Sequence, residues 1–159
     1  MSDPKPLEGA HEAAGRRVAV VAARFNEFIV ERLLQGAVGV WHSRGGDPAR
    51  LTIARVPGAF ELPVTVRRLA MSARYDAVVA LGCVIRGETP HFDYVAGECA
   101  RGLQLAALET GVPVAFGVLT VENAEQALAR ATEDGDNKGA EAMETALEMA
   151  DLFVRLPAA

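Results

Sequence analysis

Four short apolar runs recur along the chain, at positions 17–22, 51–56, 77–83 and 113–119, and three of them are continuous rather than alternating. A strand reads as an unbroken apolar run when both its faces are covered, as in a parallel sheet held between helix layers. The stretches between the runs carry helical spacing. After the first run, Ile29, Leu33, Leu34, Ala37, Val38 and Trp41 share one face, with Asn26 at the N-cap position. A shorter helix is expected over 62–73, and Val95, Cys99, Leu103 and Ala106 stripe a third that Gly111 can stop. Beyond the fourth run, Thr120 can cap a helix reaching Arg130. The polar segment 132–139 then breaks the chain before a last helix carrying Met143, Leu147, Ala150 and Val154. Ala140, Ala142, Ala146, Met149, Leu152 and Phe153 widen that stripe, so this helix needs more cover than one sheet gives, and a subunit contact is expected.

The order β-α-β-α-β-α-β-α-α predicts a doubly wound α/β sheet with right-handed crossovers. Ligands of open α/β sheets bind beyond the carboxyl ends of the strands. The site is therefore expected in four segments: 23–26, 57–61, 84–91 and the neighbourhood of 116–120.

Composition narrows the class. At 159 residues the chain is the size of one domain, here divided into a flexible N-terminal arm over 1–15 and a single domain over 16–159. Half the residues are apolar and 23% are charged, which excludes a disordered acidic tail. A net charge of −5 argues against a nucleic-acid partner. The longest uncharged run, 110–121, falls short of the roughly 20 apolar residues a membrane span requires. The arm mixes Asp3, Lys5, Glu8, His11 and Glu12 with prolines and lacks the apolar core of a signal peptide. Cys83 and Cys99 have no C-x-x-C spacing, so neither a disulfide framework nor a zinc ribbon is indicated. The expectation is a soluble, cytoplasmic protein.

The usual phosphate loops are missing. Gly82 and Gly87 have P-loop spacing, but Glu88 stands where the lysine must be. No G-x-G-x-x-G follows a strand, so no dinucleotide cofactor is expected. Arg86, Thr89, Arg130 and Lys138 are the candidates for holding a phosphate. His91 is the one histidine in a strand-end segment, with Glu88 and Asp93 close by. An imidazole's ordinary pKa of about 6.5 suits a proton carrier, while a helix-start histidine bonded to a carboxylate is an equal reading. A metal held by His91 and Asp93 lacks a third ligand nearby. Phe25 and Phe60 either stack on a planar ring or pack, packing being the more common role. Glu61 either accepts hydroxyl hydrogens or complements a helix dipole. Asn26 reads as a cap before a ligand contact, Cys83 as a buried inert thiol, and 133–136 as a solvated turn.

Taken together, five segments strongly resemble the 6,7-dimethyl-8-ribityllumazine synthase family. They are Arg24-Phe25-Asn26, the run 56–63 around Pro57-Gly58-Ala59-Phe60-Glu61, the run 82–95 around Val84-Ile85-Arg86-Gly87-Glu88-Thr89-Pro90-His91, Phe116-Gly117-Val118-Leu119-Thr120, and Asn137-Lys138-Gly139. The resemblance covers about 17–156 and implies a three-layer flavodoxin-like sandwich with a four-stranded parallel sheet. It implies condensation of 5-amino-6-(D-ribitylamino)uracil with 3,4-dihydroxy-2-butanone 4-phosphate, the penultimate step of riboflavin biosynthesis, without a metal or other cofactor.

Carried over position by position, the resemblance makes His91 the proton shuttle. Phe25 stacks on the pyrimidine, with Asn26 beside it. Ala59, Phe60 and Glu61 line the ribityl pocket, and Cys83, Val84 and Ile85 meet the uracil through backbone groups. Glu88, Thr89, Arg130 and Lys138 hold the butanone phosphate, one cation offsetting the Glu88 carboxylate. Phe116, Arg130 and Lys138 come from a neighbouring subunit of a homopentamer, which in this family can close into a sixty-subunit shell and associate with riboflavin synthase. The alternative on the same fold is a weakly active lumazine- or flavin-binding paralogue, or a shell-forming scaffold.

Overall fold

Strands β1 (Val18–Ala23), β2 (Leu51–Val56), β3 (Ala77–Ile85) and β4 (Val114–Val121) pair in the order β2-β1-β3-β4, all parallel, in a computed structural model that describes residues 1–158. Side chains alternate across the sheet. Val20, Ala22, Val79, Leu81 and Cys83 face the layer of α1 (Glu27–Ser43) and α5 (Lys138–Arg155). Val21, Ala23, Val78, Ala80 and Val84 face the layer of α2 (Leu62–Met71) and α3 (His91–Thr110). Both faces are covered, which is why β1 and β3 are unbroken apolar runs and why the fold is the expected three-layer, flavodoxin-like sandwich. β2 lies on the edge, with Thr52, Ile53 and Arg55 exposed, and its sequence alternates accordingly. The chain turns to β2 on one side of β1 and to β3 and β4 on the other, so a crevice opens between the carboxyl ends of β1 and β3.

Helix ends depart from expectation in chemistry more than in place. Asn26 does precede α1, but its backbone is left-handed (φ 60°, ψ 45°) and its side chain caps nothing. Thr120 does not cap a helix; it lies inside β4, and Asn123 caps the short α4 (Ala124–Ala129) by accepting the Gln126 N–H at 2.9 Å. Gly111 ends α3 at φ 72°, a left-handed conformation that glycine adopts without steric cost. Helix α5 buries Ala142, Met143, Ala146, Leu147 and Ala150, while Phe153 and Val154 at its far end remain exposed.

Residues 1–8 are exposed, whereas 9–15 lie along α5 and the end of α1. The Ala10 N–H donates to Asp151 Oδ2 at 2.7 Å, the Arg16 guanidinium reaches Asp151 Oδ1 at 2.8 Å, and the Ala13 N–H donates to the Arg44 carbonyl at 3.0 Å. The Ala10 amide, followed by Arg155 and Arg16, holds the Asp151 carboxyl below its ordinary pKa. No helix among the described residues is long and apolar enough to cross a membrane.

Candidate active site

Two backbone hydrogen bonds stitch the segment after β1 to the segment after β2. The Arg24 N–H donates to the Val56 carbonyl at 2.8 Å, and the Phe25 N–H to the Pro57 carbonyl at 2.9 Å. Phe25 and Phe60 consequently line one cavity of about 730 Å³, together with Ala59 and Glu61. The end of β3 contributes Cys83, Val84 and Ile85, and the turn into α3 contributes Thr89 and His91. This volume lies within the range of small-molecule pockets. Phe25 and Phe60 are 71% and 61% exposed, so neither is a core residue and both rings are free to stack on a ligand. Cys83 is buried, and burial pushes its thiol up to about 11.

Asn26 does not line the cavity. Its Nδ2 donates to the Cys83 carbonyl at 2.8 Å, tying the β1 loop to β3 across the crevice and fixing the backbone that borders the cavity. His91 is the first residue of α3, its backbone N–H making a long contact of 3.4 Å with Thr89 Oγ1. Among the described residues no carboxylate pairs with its ring, and the nearby Asp93 lies 3.5 Å from the Arg86 guanidinium. Glu88 is exposed, lines no hollow described here, and has no paired cation among the described residues. Arg86, a phosphate candidate on sequence grounds, is otherwise occupied: Nε lies 2.9 Å from Glu122 Oε2, Nη1 lies 3.5 Å from Asp93 Oδ1, and Cζ sits 4.3 Å from the Phe92 ring centroid.

A second hollow of about 450 Å³ runs beside the free edge of β4 and α5, where it gathers Phe116, Arg130 and Lys138. No residue lines both hollows. The Glu141 carboxylate, bonded to the Lys138 ammonium at 2.9 Å, and Asp136 behind it at 3.6 Å, hold Lys138 above the ordinary lysine pKa, so it is charged at neutral pH. The two cations meet because the chain folds back on itself. Ala131 and Asn137 form an antiparallel bridge, and the Lys138 N–H donates to the Arg130 carbonyl. Asn137 sits buried behind this turn. Its Oδ1 accepts the Ala140 N–H at 3.0 Å, capping α5, while Nδ2 donates to the carbonyls of Arg32 and Thr132, each at 3.0 Å. Gly139 lets α5 start directly against α1, since a Cβ there would fall 1.9 Å from the Leu33 carbonyl oxygen. In the sequence Lys138 stands out by its charge, and Asn137 and Gly139 only as parts of a motif. An asparagine immediately before an amphipathic helix is the signal that identifies its capping role.

The molecule is thus a three-layer α/β protein with an aromatic-lined cavity at the strand carboxyl ends and a separate hollow on the sheet edge that holds Arg130, Lys138 and Glu141. Residues 15–154 match the family model described as 6,7-dimethyl-8-ribityllumazine synthase. The 6,7-dimethyl-8-ribityllumazine synthase of Chlorobium chlorochromatii is 51% identical over 147 residues, covering 92% of this chain and 95% of its own. That of Nitratidesulfovibrio vulgaris is 50% identical over 152 residues, covering 96% and 97% respectively. The chain belongs to the 6,7-dimethyl-8-ribityllumazine synthase family.

Proposed function

We propose that this protein makes 6,7-dimethyl-8-ribityllumazine from 5-amino-6-(D-ribitylamino)uracil and 3,4-dihydroxy-2-butanone 4-phosphate, as a cytoplasmic step of riboflavin biosynthesis. The observation that carries the reading is the convergence of Phe25, Phe60, Glu61, the Cys83–Ile85 backbone and His91 on one cavity within a chain of this family. The pyrimidine stacks on Phe25. Its ribityl chain runs past Ala59 and Phe60, with Glu61 accepting a hydroxyl hydrogen. The amine of the pyrimidine attacks the ketone and expels water to give an imine. Elimination of phosphate follows, and ring closure with loss of a second water completes the lumazine. His91 carries the protons of these steps, and Thr89 binds the phosphate.

Arg130, Lys138 and Phe116 line a different hollow from Thr89 and His91. In a head-to-tail ring of copies, one subunit's cationic hollow faces its neighbour's aromatic cavity, and the two together enclose both substrates. A homopentamer satisfies this arrangement and covers the exposed Phe116, Phe153 and Val154. The acidic turn between α4 and α5 influences whether such pentamers close into a sixty-subunit shell. Holding two reactants in register supplies much of the acceleration, with acid–base help worth about 10²–10⁴-fold.

The test is lumazine chromophore formation from the two substrates, with and without protein, in the presence of EDTA. Accelerated formation supports the reading. Binding of the ribitylaminouracil without acceleration replaces it with a carrier or scaffold.

A further inference from the structure

We propose that Arg86 is a positioning residue for the condensation, bracing the turn that carries Thr89 and His91; the inference rests on the function proposed above. Residues 86–90 join the end of β3 to α3. The Arg86 backbone is fixed to β4, its N–H donating to the Val121 carbonyl at 2.9 Å. Its guanidinium then grips three partners. Nε meets Glu122 just past β4, Nη1 meets Asp93 in the first turn of α3, and the planar face covers the Phe92 ring. A guanidinium makes such a set because its donors lie in its plane while its face stays free to stack, which a lysine ammonium cannot do.

The brace therefore clamps α3's first turn to the β4 exit, and Thr89 and His91 sit between the clamped points. These contacts are solvent-exposed, with the Arg86 side chain at 40% exposure, and exposed ion pairs add little to folding stability. The brace's effect should be kinetic rather than structural. Phe92 lines the same cavity, but the groups assigned to the pyrimidine are anchored independently of Arg86: Phe25 is held to the segment after β2, and the Cys83 carbonyl to Asn26.

Steady-state kinetics of Arg86→Gln separate the two substrates. The expected result is a kcat lowered roughly 10-fold or more, a raised KM for the butanone phosphate, and an unchanged KM for the ribitylaminouracil and unchanged Tm. Arg86→Lys should recover only part of the loss. Glu122→Gln, which leaves the guanidinium in place, should shift the same parameters less. Full activity of Arg86→Gln, full recovery by Arg86→Lys, or a parallel rise of both KM values with a lowered Tm overturns the proposal. Absence of turnover by the unaltered protein would instead overturn the proposed reaction.

Discussion

The amide of Lys138 donates to the carbonyl of Arg130 at 2.9 Å, although an acidic turn separates them along the chain. This bond, with the adjoining Ala131–Asn137 bridge, places both cations in one hollow. Asn137 secures it by capping α5 and satisfying two carbonyls from a buried position. Asn137→Ala should therefore cost about 2–3 kcal/mol, from the lost cap and two carbonyls left short of a partner. Denaturant unfolding would measure it. Use of the phosphate substrate should fall as well, because the Lys138 ammonium loses its fixed origin.

His91→Ala should lower kcat by about 10²-fold or more while leaving ribitylaminouracil affinity within a small factor, since a general acid–base acts on the transition state rather than on binding. Calorimetric binding beside turnover measurements checks the split. Full activity would remove His91 from the proton-carrying role.

Asp151 ties the N-terminal segment to α5, and its carboxyl is held below the ordinary value by the Ala10 amide, Arg155 and Arg16. A depressed folded-state pKa contributes stability that is present above the unfolded carboxylate value and lost as pH falls through the folded one. Amide exchange at Ala10 should accordingly be slow near neutral pH relative to an unstructured amide, and its protection should vanish in acid. Asp151→Asn should lose that protection at neutral pH.

The layer structure was legible in the sequence because burial on both faces leaves unbroken apolar runs in β1 and β3. The aromatic cavity was legible because strand ends of a doubly wound sheet converge, which brings Phe25, Phe60 and His91 together. What escaped depends on backbone conformation and long-range pairing. Asn26 has the residue type of a cap, yet its left-handed backbone turns the amide to Cys83 instead. Thr120 reads as a cap only while β4 is taken to end early; the ladder with β3 continues through Val121, and Asn123 takes the role. Arg86 reads as a phosphate ligand by charge, but its partner Glu122 lies on a distant segment that only the sheet brings near. His91 does begin α3, but among the described residues no carboxylate pairs with its ring, and the nearby Asp93 lies against Arg86.

Both thiols should be silent in the native protein. Burial pushes Cys83 and Cys99 up to about 11, so the reactive thiolate is scarce at neutral pH and is shielded as well. Ellman's reagent should titrate neither before unfolding and both after it. Rapid native labelling of Cys83 would show that the cavity wall opens.

Mixing two impaired variants tests whether the site forms between copies of the chain. His91→Ala damages the aromatic cavity, and Arg130→Ala damages the cationic hollow. When the two are co-assembled in equal amounts, random placement in a head-to-tail ring joins an intact cavity to an intact hollow at about one contact in four. Lumazine formation should then return to about a quarter of the unaltered rate, well above either variant alone. A mixture no more active than the mean of the separate variants, with co-assembly verified, would contradict the shared site.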